Sequence, residues 1–435
     1  MNYLLGQGYY LKYYGLIKHQ YYHKHITKRL FKTSCSVTNH KTPIAKSNDF
    51  RKSYEYIIIG AGSAGCVLAN RLSLPHPKTK NSSKVLVLEA GPTDVGISRW
   101  TIKMPAALMY NLYHDKYNWY YHTVPQRHMN DRTMYWPRGR VLGGSSSLNA
   151  MVYIRGHPLD YDRWELEGAD GWNYANCLPY FRKAQTHELN GNQYRGSNGP
   201  LYVSRAKTNH PLHSAWIEAG KQAGYPFTDD VNGYQQEGVG YFDMTIKNGE
   251  RCSGSTAYLH PAMKSSSNLT VETNALVTQI LFENKRAVGV KYSKNGQVHE
   301  ARAESEVILS GGAINSPHLL MLSGIGDVDY LRSIGIDAWH HLPGVGQNLQ
   351  DHLELYVQQA CKKVFNNITI KLFIQIVYIS ESRFIIITIS FNAHNFMKTQ
   401  VYICVHNSRN PVTDIDIKAY VAIVSFLLAI YEGQW

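Results

Sequence analysis

The sequence predicts an α/β fold, α+β overall, organised around a Rossmann-like sheet, and three strand-to-helix turns predict it. IIIGAGSAGCVLANRLS joins a β-branched run to a glycine turn and a small-residue helix; KVLVLEAGP is a second apolar run ending in an acid; EVILSGGAINSPHLLML repeats strand, glycines and helix. Short uninterrupted apolar runs bounded by glycine read as parallel strands buried on both faces. At 435 residues the chain accommodates two domains or one large discontinuous α/β domain. Its 44% hydrophobic residues, 18% charged residues and 34 glycines exclude the disordered and fibrous classes.

In the first turn Gly60 permits the tight bend and Gly62 lets backbone approach a pyrophosphate. Ser63 opens the helix, whose N-terminal amides face the phosphates, and Gly65 lets helix and strand pack closely. Glu89 ends the second run 24 residues after Gly65, where a carboxylate accepts hydrogen bonds from ribose hydroxyls and repels a 2′-phosphate. That disfavours NADP and leaves NAD and FAD open.

A second cluster, YWPRGRVLGGSSSLNAMVYIRG, sets Gly143 and Gly144 before three serines and Asn149. Glycines allow close backbone approach, and the hydroxyls and amide can surround a phosphate or a flavin ring. The third segment brings Gly311 and Gly312 to the end of a strand, with a helix expected to open near Ser316-Pro317, since proline suits a first helical turn. LPGVGQNLQDHLE adds one more glycine turn followed by polar residues.

Together these segments resemble the glucose-methanol-choline (GMC) oxidoreductase family of flavoenzymes, with RGRVLGGSSSLNAMVYIRG similar to its first signature and GGAINSPHLLMLSGIG to its second. WYYHTVPQ, GWNYANCLPYFRKAQTHE, NHPLH and NGYQQEG are most similar to its choline-oxidising branch, and the likeness runs from about Tyr54 to about Lys363. The resemblance implies a Rossmann-like FAD-binding domain of the GMC type with an interleaved substrate-binding domain. It implies oxidation of choline, or a similar small alcohol, to the aldehyde by hydride transfer to flavin N5, on the route to glycine betaine. Electrons would pass to a membrane quinone or another acceptor. Carried over, Gly60, Gly62, Ser63 and Gly65 hold the pyrophosphate, Glu89 the adenosine ribose, Val277 the adenine, and Val141, Gly143, Gly144 and Asn149 the flavin, with Gly311 and Gly312 close by. Leu148 stands where some relatives attach FAD through histidine, so the cofactor is expected to be non-covalent there.

A trimethylammonium group donates no hydrogen bonds and is best held by aromatic faces and a carboxylate. Glu354 matches the glutamate that binds the choline cation in related choline-oxidising enzymes, and His352 a histidine close to that site. Trp119, Tyr120 and Tyr121 are cage candidates by composition, with core packing the commoner role for such residues. The family's C-terminal His/Asn or His/His catalytic pair has no recognisable match, and the catalytic residues stay unassigned; His394 and His406 lack a family-like neighbourhood. From Val364 the chain turns isoleucine-rich with no glycine before Gly433, so residues 364–435 are expected to be a divergent tail, the substrate domain truncated, and activity impaired. A catalytically inactive flavin-binding fragment and a GMC dehydrogenase for another alcohol are the alternatives.

Lys12, Lys18, Lys24, Lys28, Arg29, Lys32, Lys41 and Lys46 all precede the first acid, Asp49, and removing these eight from the formal charge of +13 leaves +5. That concentration disfavours nucleic-acid binding. Residues 1–47 are instead expected to be a mitochondrial presequence or basic tail, residues 48–363 the GMC body, and the protein mitochondrial, in the matrix or on the inner-membrane surface. No apolar run suggests a transmembrane span: Ala419–Tyr431 is 13 residues, too short for about 30 Å of hydrocarbon. Cys35, Cys66, Cys177, Cys252, Cys361 and Cys404 form no CxxC pair, which fits a reducing compartment and no metal site.

Overall fold

The computed structural model describes residues 53–351 apart from 77–78, 97–98 and 208–210, and beyond these the backbone of strands Leu353–Ala360, Ile370–Tyr378, Phe384–Ala393, Thr399–Val401 and Ile403–His406. By internal contacts the chain divides into Met1–Asp49, which lies outside the described residues, and Phe50–Trp435. The segment expected to be a presequence, residues 1–47, lies outside the described residues.

The main sheet is built from β1 (Ser53–Ile59), β2 (Val85–Leu88), β3 (Leu269–Glu272), β4 (Ala275–Glu283), β5 (Arg286–Lys294) and β6 (Gln297–Leu309), in the order β3-β2-β1-β6-β5-β4. Neighbours from β3 to β6 run parallel, with Ile57 opposite both Leu86 and Val307. β4, β5 and β6 form antiparallel hairpins. Their turns place Asn284, Lys285, Asn295 and Gly296 at positive φ, the conformation that tight two-residue hairpins require.

Period-two alternation explains why residues 57–59 at the end of β1 and the whole of β2 carry no polar residue. Ile57, Ile59, Leu86 and Leu88 enter one core with Val277, Ile280 and Leu319, while Ile58, Val85 and Val87 enter another with Cys66, Ala69 and Leu259. Both faces are covered, as a parallel sheet demands. Helix α1 (Ser63–Ser73) packs on the second face through Cys66 and Ala69, and α2 (Gly312–Leu322) on the first through Leu319.

Helix α2 differs from the expectation, because it starts at Gly312 and carries Pro317 in its interior. A proline there removes a helical amide donor that a first-turn position would never have used. The helix starts early because Gly312, at φ +87°, turns the chain directly out of β6.

A smaller four-stranded sheet joins Val152–Tyr153, Asp243–Met244, Leu201–Arg205 and Gln185–His187. It carries a buried ion cluster in which the Asp243 carboxylate takes Arg195, Arg205 at 2.9 Å and His187 at 3.3 Å. The strands after Leu353 are antiparallel, and Ile403–His406 pairs with Gly238–Val239. Among the described residues no helix is long and apolar enough to cross a membrane.

Candidate functional site

The C-terminal ends of β1, β2 and β6 bring three turns to one place. Gly60 leaves β1 at φ +93°, and a Cβ on it would stand 2.7 Å from the Ser310 carbonyl oxygen at the end of β6. Ser310 N–H donates to Ile59 O at 2.9 Å, tying the two turns together. Gly65 lies so close to Gly60 that a Cβ would fall 2.0 Å from its carbonyl oxygen, which is the close approach of helix to strand that the motif predicts. Gly62 is different: an added Cβ would meet only Ser310 O, at 3.9 Å.

Beside Gly62, α1 begins with no side-chain cap and no acid in its first turn, and Ser63 and Ala64 are exposed. Unpartnered amides at the positive end of a helix suit an anion. Ser310 Oγ is buried there without a hydrogen-bond partner. These residues fit the diphosphate of a dinucleotide.

Glu89 is 5% exposed and accepts from Ala61 N–H and Gly91 N–H, both at 2.8 Å. Burial pushes its carboxyl up to about 7, against the lowering effects of those two donors and the Arg140 guanidinium. Each carboxylate oxygen retains a lone pair for a hydroxyl donor.

The second cluster is folded onto the first turn. Gly143 N–H donates to Ala61 O at 2.8 Å, and Leu142 N–H to Pro92 O at 3.1 Å. A Cβ on Gly144 would stand 2.7 Å from Gly62 Cα, and one on Gly139 2.2 Å from the Gly144 carbonyl. Val141 and Leu148 are buried with Ile102 and Tyr117. Asn149, at the end of this loop, is exposed; its Oδ1 accepts from Met151 N–H at 3.1 Å and from Arg251 Nη1 at 2.9 Å.

Gly311 and Gly312 open α2, where Gly311 N–H donates to Ser316 Oγ at 3.1 Å and Asn315 Oδ1 accepts from Tyr121 Oη at 2.5 Å. Tyr121 stacks on Trp119 at 5.8 Å, and the Arg140 guanidinium lies 5.5 Å from the Trp119 ring. Tyr120 stands apart from that stack, at φ +60° beside Tyr135. Val277 lies on β4 opposite Tyr292, with its side chain in the core. Glu354 is the second residue of the strand Leu353–Ala360, described by its backbone alone, and His352 lies outside the described residues. Among the described residues no group of three or more His, Cys, Asp or Glu side chains is placed to hold a metal ion.

Sequence reasoning passed over the segment RCSGSTAYLHP, which packs beneath the cradle. Ser255 Oγ donates to Asp94 Oδ2 at 2.5 Å, His260 Nε2 lies 2.9 Å from Asp94 Oδ1, and Gly254 N–H donates to Ser146 Oγ at 2.8 Å. Cys66 beside it is buried, which pushes its thiol far above the usual range and leaves it inert. No periodicity or spacing in the sequence marks these contacts, because the partners come from three separate segments.

A parallel sheet with glycine turns, an uncapped helix and a buried acid at its carboxyl edge defines a dinucleotide-binding protein of the Rossmann class. The sequence profile of the GMC oxidoreductase family matches residues 54–354, and the chain belongs to that family. It is 63% identical over 315 residues to "Choline dehydrogenase, mitochondrial" of Mus musculus, covering 72% of this chain and 52% of that protein. Among solved structures, pyridoxine 4-oxidase from Mesorbium loti matches with a TM-score of 0.68 at 30% identity, over 81% of this chain and 72% of that one. An FAD-dependent oxidoreductase from Chaetomium thermophilum matches with a TM-score of 0.64 at 33% identity, over 72% and 55%. The chain thus spans about half the length of the sequence relatives it matches. FAD is the cofactor of this fold, and the cradle just described fits it.

Proposed function

We propose that this chain is an FAD-dependent choline dehydrogenase, oxidising choline to betaine aldehyde in mitochondria. The observation that carries the reading is the 63% identity over 315 residues to the mitochondrial choline dehydrogenase of Mus musculus. Bound FAD supplies the hydride acceptor. The chain's own residues do the rest: Gly60, Gly62, Ser63 and Gly65 receive the diphosphate, Glu89 accepts from the adenosine ribose, Val277 flanks the adenine, and Val141, Gly143, Gly144 and Asn149 surround the ring, with Gly311 and Gly312 beside it. Leu148 carries no nucleophilic atom, so FAD is held without a covalent bond at that position.

The Glu354 carboxylate balances the trimethylammonium charge and His352 lies two residues before it in sequence; a cation that donates no hydrogen bond gains from such a carboxylate and from aromatic faces. Residues 1–47 direct the chain to mitochondria, residues 48–363 form the catalytic body, and a membrane quinone takes the electrons.

A second reading, FAD held without alcohol turnover, is favoured by one observation: the base that must take the alcohol proton has no assigned counterpart in this chain. The visible spectrum of the purified chain, before and after anaerobic choline, tests both. Bleaching of a flavin band by choline supports the dehydrogenase, a stable band supports the second reading, and bleaching by other alcohols but not choline moves the substrate elsewhere in the family.

A further inference from the structure

We infer that Arg251 is a positioning residue that locks the Asn149 side chain as a hydrogen-bond donor toward the isoalloxazine ring of FAD. This rests on FAD occupying the cradle, with Asn149 beside its ring.

Arg251 is 3% exposed, and among the described residues no carboxylate pairs with it. Its Nε and Nη1 are spent on the cradle loop and its support, while Nη2 is buried without a hydrogen-bond partner. Nη1 donates to Asn149 O at 2.7 Å, to Asn149 Oδ1 at 2.9 Å and to Ser146 O at 3.2 Å, and Nε donates to Ile102 O at 2.9 Å. Burial lowers its pKa to about 10, so it remains a cation at neutral pH. A buried cation facing only carbonyl and amide oxygens is an expensive arrangement, which makes its target informative.

The target is one end of one amide. Asn149 Oδ1 takes two donors, the Arg251 guanidinium and Met151 N–H. Flipping the amide would set Nδ2 hydrogens against both of them, so the orientation is dictated by the network. Met151 adds rigidity: it is 4% exposed and held at φ +63°, a conformation a non-glycine residue keeps only when its surroundings impose it. With Oδ1 occupied, the group that exposed Asn149 can offer a ligand is Nδ2–H, which donates to no other described residue. A ligand atom meeting it must be an acceptor, and the carbonyl and unprotonated ring nitrogens of a flavin's pyrimidine edge are acceptors that become more negative on reduction. A donor held there favours the reduced flavin.

The test uses the full chain and reads FAD affinity by flavin fluorescence titration together with the midpoint potential of the bound flavin. Asn149→Asp keeps the partner of Arg251 and replaces the donor by an oxygen; it is expected to weaken FAD binding about tenfold, the worth of one hydrogen bond of ordinary to charge-assisted strength, and to lower the potential. Arg251→Met is expected to shift both readouts in the same direction by less, and Arg251→Lys, which still donates, to recover part of the loss. In the double variant the two effects should not add. Should Arg251→Met fail to fold, Arg251→Lys and the exposed Asn149→Asp still decide. An unchanged potential in Asn149→Asp, or full additivity in the double variant, overturns the inference while leaving FAD binding intact. Absence of FAD binding by the unaltered chain is seen before any variant is made and overturns the cofactor reading and this inference with it.

Discussion

Gly62 and Gly144 come from turns far apart in the chain and meet backbone to backbone, with only 2.7 Å between Gly62 Cα and the position a Cβ on Gly144 would take. Gly144 also sits at φ +53°. Gly144→Ala therefore combines left-handed strain with a clash against main chain, and is expected to lower stability by about 1–3 kcal/mol. Urea unfolding of the purified variant measures this, and an unchanged midpoint would show that the two turns can separate.

Gly62→Ala makes the complementary case. Its backbone, at φ −75°, suits alanine, and the new methyl meets protein only at 3.9 Å. Stability should stay within about 0.5 kcal/mol of the parent while FAD affinity falls tenfold or more, because the methyl occupies space a diphosphate needs. Flavin fluorescence titration beside a thermal melt separates the two quantities.

Glu89 sets a pH dependence. Its folded pKa, about 7, lies above the 4.5 of a free glutamate. The stability linked to this group is fully present below pH 4.5 and is lost as pH rises through 7, a span on the order of 3 kcal/mol. Glu89→Gln should remove that slope, so the difference between variant and parent in urea midpoint should grow across this window and level off above it. A constant difference would show that Glu89 titrates near its ordinary value.

Asp243 is the negative centre for Arg195, Arg205 and His187, and its side chain and that of Arg195 are each 1% exposed. Asp243→Asn would strand buried positive charge, at a cost of about 3–5 kcal/mol. The expected result is loss of folded protein at ambient temperature or a large drop in Tm, read by circular dichroism.

Glu354→Gln tests the substrate proposal. Removing a carboxylate that balances the trimethylammonium should raise KM for choline about tenfold or more, with little change for a neutral alcohol of similar size. Equal effects on both substrates would place Glu354 outside the cation's reach.

Much of the cradle was legible in the sequence because each turn is a local object. The IIIGAGSAG and VLVLEAG segments carry their own strand, bend and buried acid, and the structure places Gly60, Gly65 and Glu89 at the sheet edge together. The start of α2 was misplaced because Pro317 signals a helix opening locally, whereas Gly312 takes that position through its turn out of β6. Arg251, Asp94 and His260 were invisible for another reason. Their roles exist only as contacts with Asn149, Ser255 and one another across long stretches of chain, and an isolated arginine in ERCSGS has no pattern to betray it.

The sheet order has a consequence for how the protein is made. β1 finds β2 soon after synthesis, but its other neighbour, β6, is reached only when Val307 can pair with Ile57, and Ser310 and Gly311 follow still later. Until the ribosome has delivered that strand, the central strand has one open edge and no complete place for a diphosphate. Non-local parallel pairing of this kind is slow and exposes apolar edges while it waits. Cofactor uptake therefore belongs to a late stage of folding, after that strand has paired.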